Sequence, residues 1–201
     1  MKFTLLTLMI CFAIHAFSQE DYTIRINGKT LPIALDQPYE MIVNGQKMVF
    51  TVKANDTLTY SDEFISFRYT KDFKITKTSL DEGIEQIMLM SAEGTGFLIQ
   101  KYATLNPSLL HELMLNEVTK ESVNYGFSMN REDYNKKLSS GNTIKIDRAV
   151  LKYKDETNIY EVASIAKKDS GVLVMTMKMD GKTDSQGQKM IDLMWKTLVV
   201  K

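Results

Sequence analysis

Apolar and polar residues alternate along much of this chain, and the alternation breaks at short runs of Gly, Asn, Asp and Ser. A period of two marks strands with one buried face, so the pattern predicts a chain dominated by β-structure. Residues 22–27 alternate up to Gly28, residues 31–35 form a second run, and Asp36-Gln37-Pro38 stops it. Asn44-Gly45 between Met41-Ile42-Val43 and residues 48–52 predicts a hairpin, because both turn residues accept the positive φ angles of a type I′ turn. Residues 20–60 therefore predict a short β-meander, and turn-rich residues at 54–56 and 61–62 place a boundary near 54–63. The stretch 64–76, FISFRYTKDFKIT, reads as two adjoining strands at the entry to a larger α/β unit. Residues 86–91 and 97–103 form the next pair around Glu93-Gly94-Thr95-Gly96. That Gly-x-Gly lacks a third glycine and leads into a strand, so it predicts a hairpin turn and no dinucleotide loop. Runs at 143–153, 158–166 and 171–179 complete an antiparallel meander.

Two segments carry a helical period. Asn106-Pro107 supplies an N-cap and a first-turn proline for a helix reaching about Val123, with Leu109, Leu110, Leu113 and Met114 as its buried stripe. Ser185 with Gln188 fits a capping box for a C-terminal helix whose Met190, Ile191, Met194, Trp195 and Leu198 share one face. Between these helices, residues 125–142 are polar and irregular, with a helical turn expected over 131–138. A loop of that length is uncommon unless it binds something. It supplies the candidate contact residues Tyr125, Arg131, Tyr134 and Lys137, with the edge of the N-terminal meander as the other candidate surface. The fold class is α+β.

The start of the chain changes where this fold is expected to work. Lys2, the apolar run 5–14 and Ala16-Phe17-Ser18 compose a signal peptide at 1–18, too short in its apolar part for a span of about 20 residues. Its junction resembles those of Gram-negative Bacteroidota, which implies a periplasmic or secreted protein. Ile10 stands where a lipobox needs a small residue, so lipidation of Cys11 is disfavoured. Cys11 is the only cysteine, leaving residues 19–201 without a disulfide. The chain holds 25 basic and 25 acidic residues, and loss of Lys2 leaves one more acid than base. That balance argues against nucleic acid, which calls for a basic face. No second long apolar stretch predicts an integral membrane segment.

Candidate chemistry is sparse. After residue 18 the one histidine is His111, which has no neighbouring Cys or carboxylate cluster for zinc and no partner at triad spacing. Glu117 and Glu121 lie four apart on the first helix, where paired carboxylates could do acid–base work or stay solvated; solvation is the favoured reading. Met175, Met177 and Met179 alternate along one strand and Met88 and Met90 along another. Thioethers are soft ligands for Cu(I), but they also fill irregular cores, and Met190 and Met194 offer a helix face to pack on them. Residues 180–184 carry carboxylates at both ends but lack an EF-hand ligand pattern. No cofactor or metal is assigned.

Phe67-x-Tyr69 with 71–75, a helix after the early strands, a long meander and a C-terminal helix together resemble the Mog1/PsbP-like superfamily over about 64–200. Thr70 stands where that family has proline, and Phe73 where it has tryptophan. The resemblance implies an α/β sandwich with a central antiparallel sheet and flanking helices at 61–201, preceded by the meander at 19–60. It further implies an accessory or binding role, with no shared catalytic residues. The expectation is an exported, non-enzymatic binding or accessory protein whose partner is another envelope protein. A small-ligand or Cu(I) carrier using the methionine surface is the alternative.

Overall fold

Fifteen strands and two helices cover residues 22–43, 45–179 and 184–201, which are the residues described by the computed structural model. The predicted leader at 1–18, Asn44 and residues 180–183 lie outside them. The chain divides into two compact units between Ala54 and Asn55.

In the first unit, β1 (Tyr22–Ile26) and β2 (Lys29–Ile33) form one hairpin, and β3 (Pro38–Val43) and β4 (Gln46–Thr51) form another. Asn27 and Gly28 both take positive φ, 47° and 80°, as a two-residue hairpin turn requires. Tyr39 sits opposite Phe50 with ring centroids 5.9 Å apart, the aromatic cross-strand pair that holds the second hairpin. The expected meander is corrected here, because β2 and β3 do not pair. Pro32 lies inside β2, where its missing N–H falls on the free edge, and Asp36 turns the chain out of the strand direction at φ 61°.

The second unit is mainly antiparallel sheet. Its strands are β5 (Thr57–Ser61), β6 (Ile65–Thr70), β7 (Thr76–Asp81), β8 (Ile84–Met90), β9 (Gly96–Tyr102), β10 (Ser128–Arg131), β11 (Tyr134–Lys137), β12 (Thr143–Tyr153), β13 (Glu156–Ala166), β14 (Gly171–Lys178) and β15 (Val199–Val200). The large sheet runs β10-β12-β13-β14-β9-β8-β7 with β11 also on β12, and a small sheet runs β15-β6-β5. The helices are α1 (His111–Tyr125), entered through a 3-10 turn at Pro107–Leu110, and α2 (Ser185–Thr197).

Alternation sends the side chains of the large sheet into two cores. On one face Phe97, Ile99, Val172, Val174 and Ile146 pack with Met190, Met194 and Trp195 of α2 and with Tyr60, Ile65 and Phe67 of the small sheet. On the other face Leu98, Tyr102, Leu151, Tyr160, Val162, Leu173 and Met175 pack with Leu115 of α1. The α2 face follows the sequence pattern, since Met190, Ile191, Met194, Trp195 and Leu198 are all buried.

Four expectations are corrected. The second alternating run forms no strand over 73–75, and β7 begins only at Thr76. Phe73 and Ile75 instead anchor the crossover to β7 in the first core. Residues 125–142 are neither irregular nor helical at 131–138, but form β10 and β11 on the two halves of β12. Both strands are four residues long with mostly polar, exposed side chains, which hid them from an apolar pattern. The stripe of α1 is rotated: Leu109 and Leu113 are 87% and 66% exposed, while Leu115 and Thr119 are buried. The row Leu173, Met175, Met177, Met179 faces α1, whereas Met190 and Met194 pack on the opposite side of the sheet.

The cap of α2 also shifts by one residue. Asp184, not Ser185, accepts hydrogen bonds from the backbone N–H of Gln186 (3.1 Å) and Gly187 (2.8 Å), and it accepts another from the Ser91 hydroxyl (2.5 Å). A Cβ at Gly187 would stand 2.7 Å from Thr95, so the first turn of α2 can lie on the β8–β9 turn only with glycine there. Asp184→Ala is expected to lower stability by about 1–2 kcal/mol through loss of the cap, read by urea denaturation. A loss below about 0.3 kcal/mol would show that the cap contributes nothing.

Candidate functional site

The segment 125–142 reaches the α2 side of the large sheet through Tyr134. Its ring packs against the first core, and its hydroxyl donates to Glu161 Oε1 on β13 at 3.0 Å. Thr176 of β14 donates to Glu161 Oε2 at 3.0 Å, and Arg148 of β12 approaches Oε1 at 3.7 Å. Burial first, and then the Glu161 carboxylate, push the Tyr134 hydroxyl up to about 12. Tyr134→Phe leaves Glu161 with Thr176 and Arg148 and is expected to cost about 1 kcal/mol. An alkaline absorbance titration of the variant should lose one late-ionising tyrosine, while loss of an early one would contradict the assignment.

Beyond Tyr134, β11 delivers Lys136 and Lys137 to a cleft against the C-terminal half of α2. Leu138 is buried and ends the strand, and its N–H donates to Asn142 O at 2.8 Å in the turn before β12. The cleft has a volume of about 470 Å³ and is lined by Lys136, Lys137, Leu138, Ser139, Asp192, Trp195 and Lys196. Trp195 forms its floor at 4% exposure, and its indole Nε1 is buried without a hydrogen-bond acceptor among the described residues. The Lys136 ammonium lies 5.7 Å from the centre of that ring. Lys137 and Lys196 have no ion pair among the described residues. Asp192 is the lining carboxylate, and Gln188 Nε2 donates to it at 3.0 Å. Farther along α2 a smaller cavity of about 170 Å³ is lined by Arg148, Glu161, Thr176, Lys178, Gln188 and Ile191. Both cavities border α2, a seam along which cationic lining residues outnumber acidic ones.

The four candidate contact residues thus divide. Lys137 lines the larger cavity, and Tyr134 donates to Glu161 of the smaller one. Tyr125 is exposed at the end of α1 on the other face, edge-on to Tyr153 at 5.4 Å. Arg131 joins α1 to the sheet edge through Glu112 (3.0 Å) and Asp133 (3.1 Å). Sequence reasoning missed Trp195 and Lys196 as site residues, although a cation beside the one tryptophan and the adjacent Lys136-Lys137 pair were the available signals.

The other candidate titratable residues lie away from this seam. His111 Nδ1 lies 2.9 Å from Asp147 Oδ2, whose other oxygen meets Lys145 at 2.5 Å, while Glu117 and Glu121 are exposed along α1. The structure does not join those three residues into one site. Lys101 of β9 reaches both Asp62 (2.7 Å) and Glu85 (2.6 Å). Burial disfavours the Asp62 carboxylate, but Lys101, Tyr60 and the N–H groups of Ile65 and Phe64 outweigh it and hold Asp62 well below the usual carboxylate range. Met88, Met177 and Met179 pack against the second core, and the Tyr160 hydroxyl donates to the Met179 sulfur at 3.4 Å. Among the described residues no cluster of three or more His, Cys, Asp or Glu is placed to hold a metal ion, and no helix is long and apolar enough to cross a membrane. In the first unit, a cleft of about 430 Å³ lies between the hairpins, lined by Ile26, Leu31, Met41 and Ile42 among others.

No family model matches the chain, and no curated protein matches it. A crystal structure of a protein from Bacteroides thetaiotaomicron is similar at a TM-score of 0.39 and 11% identity, covering 73% of this chain and 48% of that one. The chain therefore spans about half the length of that protein.

Proposed function

We propose that this is an exported, non-enzymatic binding or accessory protein of the cell envelope that docks a partner protein along the seam beside α2. The observation that carries this reading is the cluster of Lys136, Lys137 and Lys196 beside Trp195, held by a strand and a helix and without a carboxylate partner among the described residues. Rigid elements position a contact surface more reproducibly than loops do. Export is supported by the signal-peptide pattern at 1–18. The same proposal includes an α/β sandwich of the Mog1/PsbP-like kind over 64–200. It is supported by α1 on one face of the large sheet and α2 with the small sheet on the other.

A photo-crosslinking residue at position 137, compared with one at position 125, tests the docking surface in the native envelope. Position 137 is expected to give one stoichiometric protein adduct and position 125 none. Equal yields, or none from 137, would overturn the reading.

A second reading, Cu(I) carriage, draws on one observation: Met90 lies over Gly96, Met179 beside Gly94, and Met177 stands in register with Gly96. Loss of Cu(I) binding in Met175→Leu/Met177→Leu, with the fold intact, would favour it.

A further inference from the structure

We infer that the cleft beside α2 recognises an acidic peptide segment, a short run of Asp or Glu side chains on the partner; this rests on the docking reading above. Three lysines, Lys136, Lys137 and Lys196, line the cleft against one acidic residue, and that residue, Asp192, already accepts from Gln188. Charge complementarity then selects a partner bringing several carboxylates. The floor asks for the same chemistry. Trp195, which lines the cleft, is nine-tenths buried and its indole N–H has no acceptor among the described residues, a donor that a carboxylate would satisfy once it draws Lys136 off the ring. Length fits as well. Lys178 continues the row of cations near Gln188, and the rise from Gln188 to Lys196 is about 12 Å, the reach of roughly four extended residues.

Two other anionic partners suit the site less. An interfacial tryptophan is exposed to reach a membrane surface, whereas Trp195 is 4% exposed. Single-stranded nucleic acid needs exposed rings on which bases stack, and the cleft presents none.

Trp195 is the chain's one tryptophan, so its fluorescence reads this cleft directly. Titration with a blocked hexaglutamate peptide at low ionic strength is expected to give a saturable change. The affinity should fall about tenfold in Lys136→Gln/Lys137→Gln/Lys196→Gln and by a similar factor in about 0.3 M salt. The control Lys152→Gln/Lys154→Gln, at the far end of β12, should bind like the wild type, and thermal melting of both variants verifies that they fold. No change with millimolar peptide, or equal binding by the triple variant, overturns the inference. Binding to vesicles rich in phosphatidylglycerol without binding to the peptide overturns it in favour of a membrane. If position 137 crosslinks a partner in the envelope while hexaglutamate leaves Trp195 unchanged, the acidic segment is wrong and the docking surface stands. If the peptide binds and position 137 captures nothing, the docking reading falls and an anion-binding cleft remains.

Discussion

Phe97→Ala is expected to lower the stability of the second unit by about 4 kcal/mol and its melting temperature by roughly 10 °C. Phe97 is fully buried on β9, in the middle of the large sheet, with its ring edge-on to Phe67 at 5.4 Å. Phe67 in turn stacks on Tyr60 at 5.2 Å, so this aromatic chain joins the small sheet to the large one. Removing the central ring leaves a cavity that the sheet backbones on either side cannot collapse to fill. The neighbouring Leu98 points to the opposite core, which makes Leu98→Ala an internal control. Amide exchange should accelerate in β5 and β6 for Phe97→Ala and stay unchanged there for Leu98→Ala. A urea-derived loss below about 1 kcal/mol would mean that the two sheets are held together by something other than this contact.

Those two adjacent residues also show what was legible in the sequence. The apolar-rich runs at 97–102 and 172–177 mark strands buried on both faces, whose period of two sorts the side chains between the faces. The β8–β9 hairpin and the β12–β13–β14 meander follow from the turns between such runs. Alternation cannot say which helix covers which face. Met175 and Met190 look complementary in sequence, yet the chain returns α2 to the opposite side of the sheet. The rotation of α1 has the same origin. Leu109 and Leu113 carry more apolar surface than Thr119, but Thr119 is the one turned inward, where its hydroxyl donates to Leu115 O at 2.8 Å. At the site, Lys137 was readable as part of a polar run that a compact fold seldom leaves idle. Trp195 and Lys196 were readable only as one core residue and one solvated charge. Their joining into a cleft depends on the docking angle of α2, which no local pattern encodes. Lys101 was the least legible residue, because its burial depends on Asp62 in the distant β5–β6 turn.

Lys101→Met should cost about 3 kcal/mol, at the low end for breaking a buried ion pair because Glu85 remains partly solvated. The Lys101 side chain is 10% exposed and its ammonium bridges two carboxylates. Methionine fills the volume but leaves Asp62, among the described residues, with Tyr60 and two backbone N–H groups. The pH profile separates this from a simple packing loss. Asp62 ionises below its ordinary value in the folded protein, so its contribution is present above about pH 4 and disappears as pH falls further. Lys101 behaves oppositely. Burial lowers its affinity for a proton, but Asp62 and Glu85 outweigh burial and hold it protonated beyond the ordinary lysine range. Its contribution is therefore complete below about pH 10 and disappears as pH rises through the raised value. Wild-type stability should fall at both extremes, whereas Lys101→Met should start lower and fall less at each. Parallel profiles for the two proteins, measured by urea denaturation from about pH 2.5 to 11, would show that Lys101 acts through its hydrocarbon stem and not through its charge.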